Sequence, residues 1–181
     1  MVIFKIRKAT MNDMPVMLKI YEDARVFMKA NGNESQWGLP APGKKCWPSV
    51  EAVTDKINRN IQYICETEIN DKCVAAATFA FTNGEEEPAY KTIYEGQWPD
   101  DGSVPYGVIH CFASSGQVKG VATYCINWAL DVCRYMKIDT HPANKPMQAL
   151  LRKLGFTYCG KVIMDCVQND DVVRIAFCKK I

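Results

Sequence analysis

The stretch from Val108 to Phe156 constrains the fold of this chain more than any other. It reads as strand, glycine-containing turn, helix, strand, helix. The turn, Gln117-Val118-Lys119-Gly120-Val121-Ala122, falls where a strand hands over to a helix. A turn in that place aims several backbone N–H groups at one point, and the helix dipole adds positive potential there. The first expectation is therefore a phosphate-bearing cofactor held by backbone at residues 117–122.

The remaining elements follow from periodicity and punctuation. Ile3–Arg7 alternates apolar and charged residues, which suits a first strand. Thr10 reads as an N-cap with Asp13 as its capping-box partner, and Met14, Met17, Leu18, Tyr21, Ala24 and Met28 follow at helical spacing up to Gly32. Ser49 caps a second helix that carries Val50, Val53 and Ile57 on one face. Ile61–Glu68 and Cys73–Thr82 form a hairpin turned at Asn70-Asp71. Tyr106–Ala113 is the next strand, and Ala122, Cys125, Ile126, Ala129 and Cys133 mark the inner face of a third helix. Met136–Thr140 is a short strand, and Asn144 opens a fourth helix that ends at Gly155. Two closing strands, about 157–167 and 172–179, turn at Asn169-Asp170-Asp171. The order β-α-α-β-β-β-α-β-α-β-β predicts an α/β protein with a mixed sheet and a single domain over residues 1–181.

Two long segments remain irregular. Residues 31–48 are rich in Gly and Pro and carry Gln36, Trp37 and Trp47; residues 83–105 are acidic and carry Tyr90, Tyr94, Glu95, Trp98, Asp100 and Asp101. Long ordered loops tend to be functional. The indoles either pin the first loop to the core or, with Gln36, line a substrate pocket.

Charge and cysteine content exclude several classes. A formal net charge of +2 is too small to imply nucleic acid or a membrane surface as partner. The charged start Met1–Arg7 is no signal peptide and no apolar run is long enough to span a bilayer, so a cytoplasmic location is expected. Nine cysteines without C-x-x-C spacing, and only two histidines, argue for buried reduced thiols and no metal site.

The pattern resembles the GNAT superfamily of acyl-CoA-dependent N-acetyltransferases across nearly the whole chain. That family's acetyl-CoA signature, Gln/Arg-x-x-Gly-x-Gly/Ala, is similar to Gln117 through Ala122, and its next motif, an Asn opening a helix that ends in Gly-Phe, resembles Asn144 through Gly155-Phe156. The resemblance implies acetyl-CoA as cosubstrate. Backbone at Cys111, Phe112 and Ala113 would pair with the pantetheine arm like an added strand. N–H groups of Val118, Lys119, Gly120, Val121 and Ala122 would hold the pyrophosphate, with Lys119 adding a cation and Asn144 capping its helix or bonding the arm. The acceptor is expected to be a small-molecule amine contacted by Gln36, Trp37, Tyr94 and Glu95, because aromatics and a surplus of acid suit a small cation.

The chemistry implied is direct attack of a neutral amine, which needs a base to remove a proton and an acid to protonate the departing thiolate. His110, just before the turn, and His141, after the short strand, compete for the base, with Glu34 and Glu95 as carboxylate alternatives. The family's usual acid is a Tyr on the fourth helix; here that position is Leu151, leaving a water, Tyr124 or Tyr158. The same departure supports a rival reading, a non-catalytic acyl-CoA-binding sensor. A plain nucleotide-binding domain is a third. The apolar closing strands also suit a homodimer joined at sheet edges.

Overall fold

The computed structural model describes residues 2–34, 36–37, 46–164 and 172–181. The elements are β1 (Phe4–Lys8), α1 (Met14–Ala30), α2 (Val50–Asn58), β2 (Gln62–Ile69), β3 (Lys72–Asn83), β4 (Gly107–Ser114), α3 (Val121–Cys133), β5 (Tyr135–Thr140), α4 (Lys145–Lys153), β6 (Thr157–Ile163) and β7 (Val173–Lys180). This is the order the sequence predicts. The strands form one seven-stranded mixed sheet in the order β1-β2-β3-β4-β5-β7-β6. β4 and β5 run parallel, in register at Gly107 and Met136. The β1–β2, β2–β3, β5–β7 and β6–β7 pairs are antiparallel. The last strand enters between β5 and β6, leaving β6 at an edge. The expected turn at 169–171, and the end of the strand expected to reach residue 167, lie outside the described residues.

The chain divides into two compact units. One comprises residues through Phe81 together with Ile109–Asn127; the other comprises Thr82–Val108 and Trp128–Ile181.

In the first unit, α1 buries Met17, Ile20 and Tyr21 against Val53, Ile57, Ile64 and Ala113. The start of α1 differs from expectation. Met11–Asp13 forms a 3-10 turn and α1 begins at Met14. Thr10 caps this start with Asp13 as its capping-box partner, as expected: the Asp13 carboxylate takes the Thr10 N–H at 2.8 Å and also both ends of the Arg7 guanidinium at 2.7 and 2.8 Å. Ser49 caps α2 as expected, its hydroxyl accepting from the Ala52 N–H at 3.2 Å. The β2–β3 hairpin turns through Asn70 and Asp71 at φ 50° and 59°, both left-handed, as a two-residue turn matched to strand twist requires.

In the second unit the core is Tyr90, Tyr106, Val108, Tyr135, Cys159, Val162, Ala176 and Cys178. The acidic segment 83–105 is stitched into it rather than standing free. Tyr90 donates to Asp139 at 2.7 Å, the Trp98 indole donates to the Tyr90 carbonyl at 2.9 Å, and Tyr94 exchanges two backbone hydrogen bonds with Lys161 of β6, both 2.8 Å. No helix among the described residues is long and apolar enough to cross a membrane.

Candidate functional site

The turn is built by glycine where its geometry needs glycine. Gly116 and Gly120 have φ of 74° and 88°, and a Cβ added at either would meet nothing within 4 Å. The positive φ explains the residue type, and the open space explains how a ligand's backbone-facing atoms can approach. Gln117, Lys119 and Gly120 are exposed, whereas Val121 is buried and anchors the first turn of α3. The Gly120 carbonyl accepts the first helical bond, from the Tyr124 N–H at 3.0 Å. The N–H groups of Val121, Ala122 and Thr123 precede that bond and have no partner within the helix. The result is an exposed concentration of backbone donors at a helix N-terminus, a chemistry that favours anions.

The strand leading into the turn carries a feature the sequence does not announce. Cys111, inside β4, has φ 52°. A non-glycine residue in that region costs about 1–2 kcal/mol, and within a strand it turns the adjoining peptide groups away from regular strand directions. Just past the end of β4 the Ser115 N–H donates to the Ala76 carbonyl of β3 at 2.8 Å. Ala113 is buried in the Tyr21 cluster and Cys111 packs against it; Phe112 faces Phe79 at 6.1 Å between ring centroids. His110 is half-buried.

Also in the first unit, Trp37 lies edge-on to Tyr21 at 5.7 Å, and Gln36 accepts from Asn33 at 2.7 Å. Trp37 thus packs on the same cluster as Cys111. Tyr21 itself is fully buried, its hydroxyl accepting from Gln62, and burial pushes its pKa up. Glu34 is exposed and paired with Lys29 at 3.3 Å. Tyr124 donates to the Phe4 carbonyl at 3.0 Å.

The other candidates belong to the second unit. His141 is buried and its Nδ1 accepts the Ala143 N–H at 3.0 Å. Asn144 caps α4, its Oδ1 accepting from the Met147 N–H at 3.2 Å. Leu151 is fully buried. Tyr94 and Tyr158 are each about half exposed, at 47%. Glu95 sits at φ 53° and pairs with Lys161 at 2.6 Å. This segment reaches β6 through two glycines: a Cβ at Gly96 would collide with the Cys159 carbonyl, and one at Gly160 with the Tyr94 carbonyl.

Two features escape the sequence reading. Lys137 is almost fully buried, 3.1 Å from Asp100 and 4.7, 4.4 and 5.4 Å from the ring centres of Trp98, Tyr106 and Tyr135. Its only local signal is a charge inside a short apolar strand. The expectation of buried thiols needs correction: the eight described cysteines are free, but only Cys65, Cys125, Cys159 and Cys178 are buried, Cys46, Cys111 and Cys133 are half-buried, and Cys73 is exposed near the solvent end of the β2–β3 hairpin. No group of described residues has the makings of a metal site.

No protein-family model matches the sequence, and no curated protein does. Solved structures do. A GNAT-family acetyltransferase from Streptococcus agalactiae 2603 is 27% identical, with a TM-score of 0.81 over 98% of this chain and 95% of that one. A candidate acetyltransferase from Staphylococcus aureus Mu50 is 25% identical, with a TM-score of 0.64 over 97% of each chain. The YncA protein from Salmonella typhimurium, solved with its cofactor acetyl-CoA, is similar in fold at 13% identity, with a TM-score of 0.55 over 98% of this chain and 93% of that one.

Proposed function

We propose that this chain, which belongs to the GNAT superfamily, moves an acetyl group from acetyl-CoA to the amine of a small molecule. The observation that carries the proposal is the turn at 116–122, exposed through Gly120, with its two left-handed glycines, open space and first-turn donors at the start of α3 that have no partner within the helix. Backbone donors of Val118–Ala122 hold the pyrophosphate, and Gln117 and Lys119 flank it. The strand at Cys111, Phe112 and Ala113, with Cys111 left-handed, offers peptide groups to the pantetheine arm. The cosubstrate supplies the activated acetyl thioester.

Within this reading His110 is the base. His141 is the weaker candidate because its Nδ1 is committed to the Ala143 N–H. Asn144 acts through its cap, fixing the start of α4. Gln36 and Trp37, beside the Tyr21 cluster, are acceptor contacts in this reading; within the second unit the bridge to Lys161 presents Tyr94 and Glu95 for the same role.

Leu151 favours one second reading. Where the resemblance leads one to expect a tyrosine acid, a fully buried aliphatic side chain stands, which suits a domain that binds acyl-CoA without turning it over. Thiol release from acetyl-CoA against a panel of small amines separates the two. Amine-dependent release that falls at least tenfold in His110→Ala, and changes little in a His141 variant that keeps the fold, is expected. CoA binding with no release on any amine would establish the sensor reading instead.

A further inference from the structure

The second unit holds a pair of thiols that the proposed transfer does not use. Cys159 of β6 and Cys178 of β7 lie with their sulfurs 3.3 Å apart, the Cys159 thiol donating to Cys178. Their placement follows from register. Thr157 opposes Cys178, and Cys159, two residues on, shares the Thr157 face; it is also the extra residue of the bulge between Tyr158 and Gly160. Both side chains therefore enter the same core cluster.

The surroundings distinguish the two sulfurs. A cavity of about 330 Å³ adjoins them, and Cys178 lines it together with Asp100, Tyr135, Thr157 and Lys179. Cys159 is not among the lining residues, and its thiol lies within hydrogen-bonding distance of both the Cys178 sulfur, at 3.3 Å, and the Thr157 carbonyl, at 3.4 Å. Accepting the bond from Cys159, with the Tyr135 hydroxyl and the Lys137 ammonium nearby, holds the Cys178 thiol below its ordinary pKa, and donating it pushes Cys159 up. Thiolate character and access decide which cysteine reacts first.

We propose that Cys159 and Cys178 are an oxidisable dithiol, with Cys178 the thiol that meets a hydroperoxide in the cavity and Cys159 the thiol that resolves it. The Cys178 sulfur attacks the terminal peroxide oxygen and the O–O bond breaks. With hydrogen peroxide, Cys178 becomes a sulfenic acid and one water leaves. Cys159 then attacks that sulfur, its thiol proton and the sulfenic hydroxyl depart as a second water, and the S–S bond forms. Two thiols lose two hydrogens and two electrons, and one hydrogen peroxide becomes two waters. Closure brings the sulfurs from 3.3 Å to the ~2.0 Å of a disulfide, a small movement between adjacent strands. The bond forms beside the loop that carries Tyr94 and Glu95, because Gly96 packs on the Cys159 carbonyl.

A second thiol pair provides the internal control. Cys65 and Cys125 also share a hydrogen bond, but both have 0% exposure. The test is titration of the reduced full chain with hydrogen peroxide, followed by intact mass and non-reducing peptide mapping. The expected product has lost two hydrogens, links Cys159 to Cys178, leaves Cys65 and Cys125 free, and reverts with dithiothreitol. In Cys159→Ser, dimedone should trap a sulfenic acid at Cys178; in Cys178→Ser, Cys159 should stay reduced. Recovery of Cys159 and Cys178 as separate free thiols while the exposed Cys73 is oxidised would overturn the proposal in the wild-type chain alone. So would linkage of either to another cysteine, or equal reactivity of Cys159 in Cys178→Ser.

Discussion

The turn at 116–122 and the segment from Tyr90 to Asp100 are both irregular backbone, and they are built on opposite principles. The turn is exposed, contains two left-handed glycines with empty space around them, and presents main-chain donors. The acidic segment is held by side chains in buried, charged and aromatic pairs: Tyr90 with Asp139, and Asp100 with Lys137 and Tyr135. One region leaves main-chain donors free of its own fold; the other uses side chains to fix its own shape. Substitutions in the first should therefore alter binding more than stability, and substitutions in the second the reverse.

The largest expected effect tests the second half of that contrast. Lys137→Ala removes the ammonium from beneath the Trp98, Tyr106 and Tyr135 rings and leaves the nearly buried Asp100 carboxylate without its cation, and losing one partner of such a pair costs about 3–5 kcal/mol. Urea denaturation should show it, and a loss under 1 kcal/mol would mean that the segment is not anchored there. Gly96→Ala follows, because its Cβ collides with the Cys159 backbone; about 1–3 kcal/mol of overpacking is expected in the same measurement.

On the other side, Gly120→Asp places a carboxylate where the turn presents donors. CoA affinity measured by calorimetry should fall about tenfold or more, ~1.4 kcal/mol, while stability changes by the left-handed penalty of about 1 kcal/mol. Lys119→Ala should weaken CoA only a few-fold and leave stability within about 0.5 kcal/mol, as expected of an exposed cation.

The smallest effect concerns acid. Hydrogen bonds from Arg7, more than any other cause, hold the Asp13 carboxyl well below the usual carboxylate range. A folded pKa below the unfolded one, about 3.9, means that this contribution is present above ~pH 4 and lost as pH falls toward the folded value. Asp13→Asn should lower stability at neutral pH and flatten its decline below ~pH 4.

The contrast also explains what the sequence could reveal. The order of elements was legible because each carries local punctuation, such as the Ser49 cap, the Asn70-Asp71 turn and the Gly155 stop. The turn at 116–122 was legible because glycine is the residue that most readily takes a positive φ. The left-handed Cys111 was not, since any residue can be forced there by its surroundings. Nor was the Lys137–Asp100 pair, because its partners lie 37 residues apart in the chain and on different elements. The entry of β7 between β5 and β6 depends on packing that no local pattern records. The place of Trp37 on Tyr21 likewise reflects a tertiary contact.

The central claim is that the turn at 116–122 binds acetyl-CoA, and calorimetric titration of the chain with CoA, ATP and NAD in parallel tests it most directly. Saturable binding of CoA, at least tenfold tighter than either nucleotide and weakened in Gly120→Asp, is the predicted result. Equal affinity for all three, or CoA binding indifferent to Gly120→Asp, would contradict it.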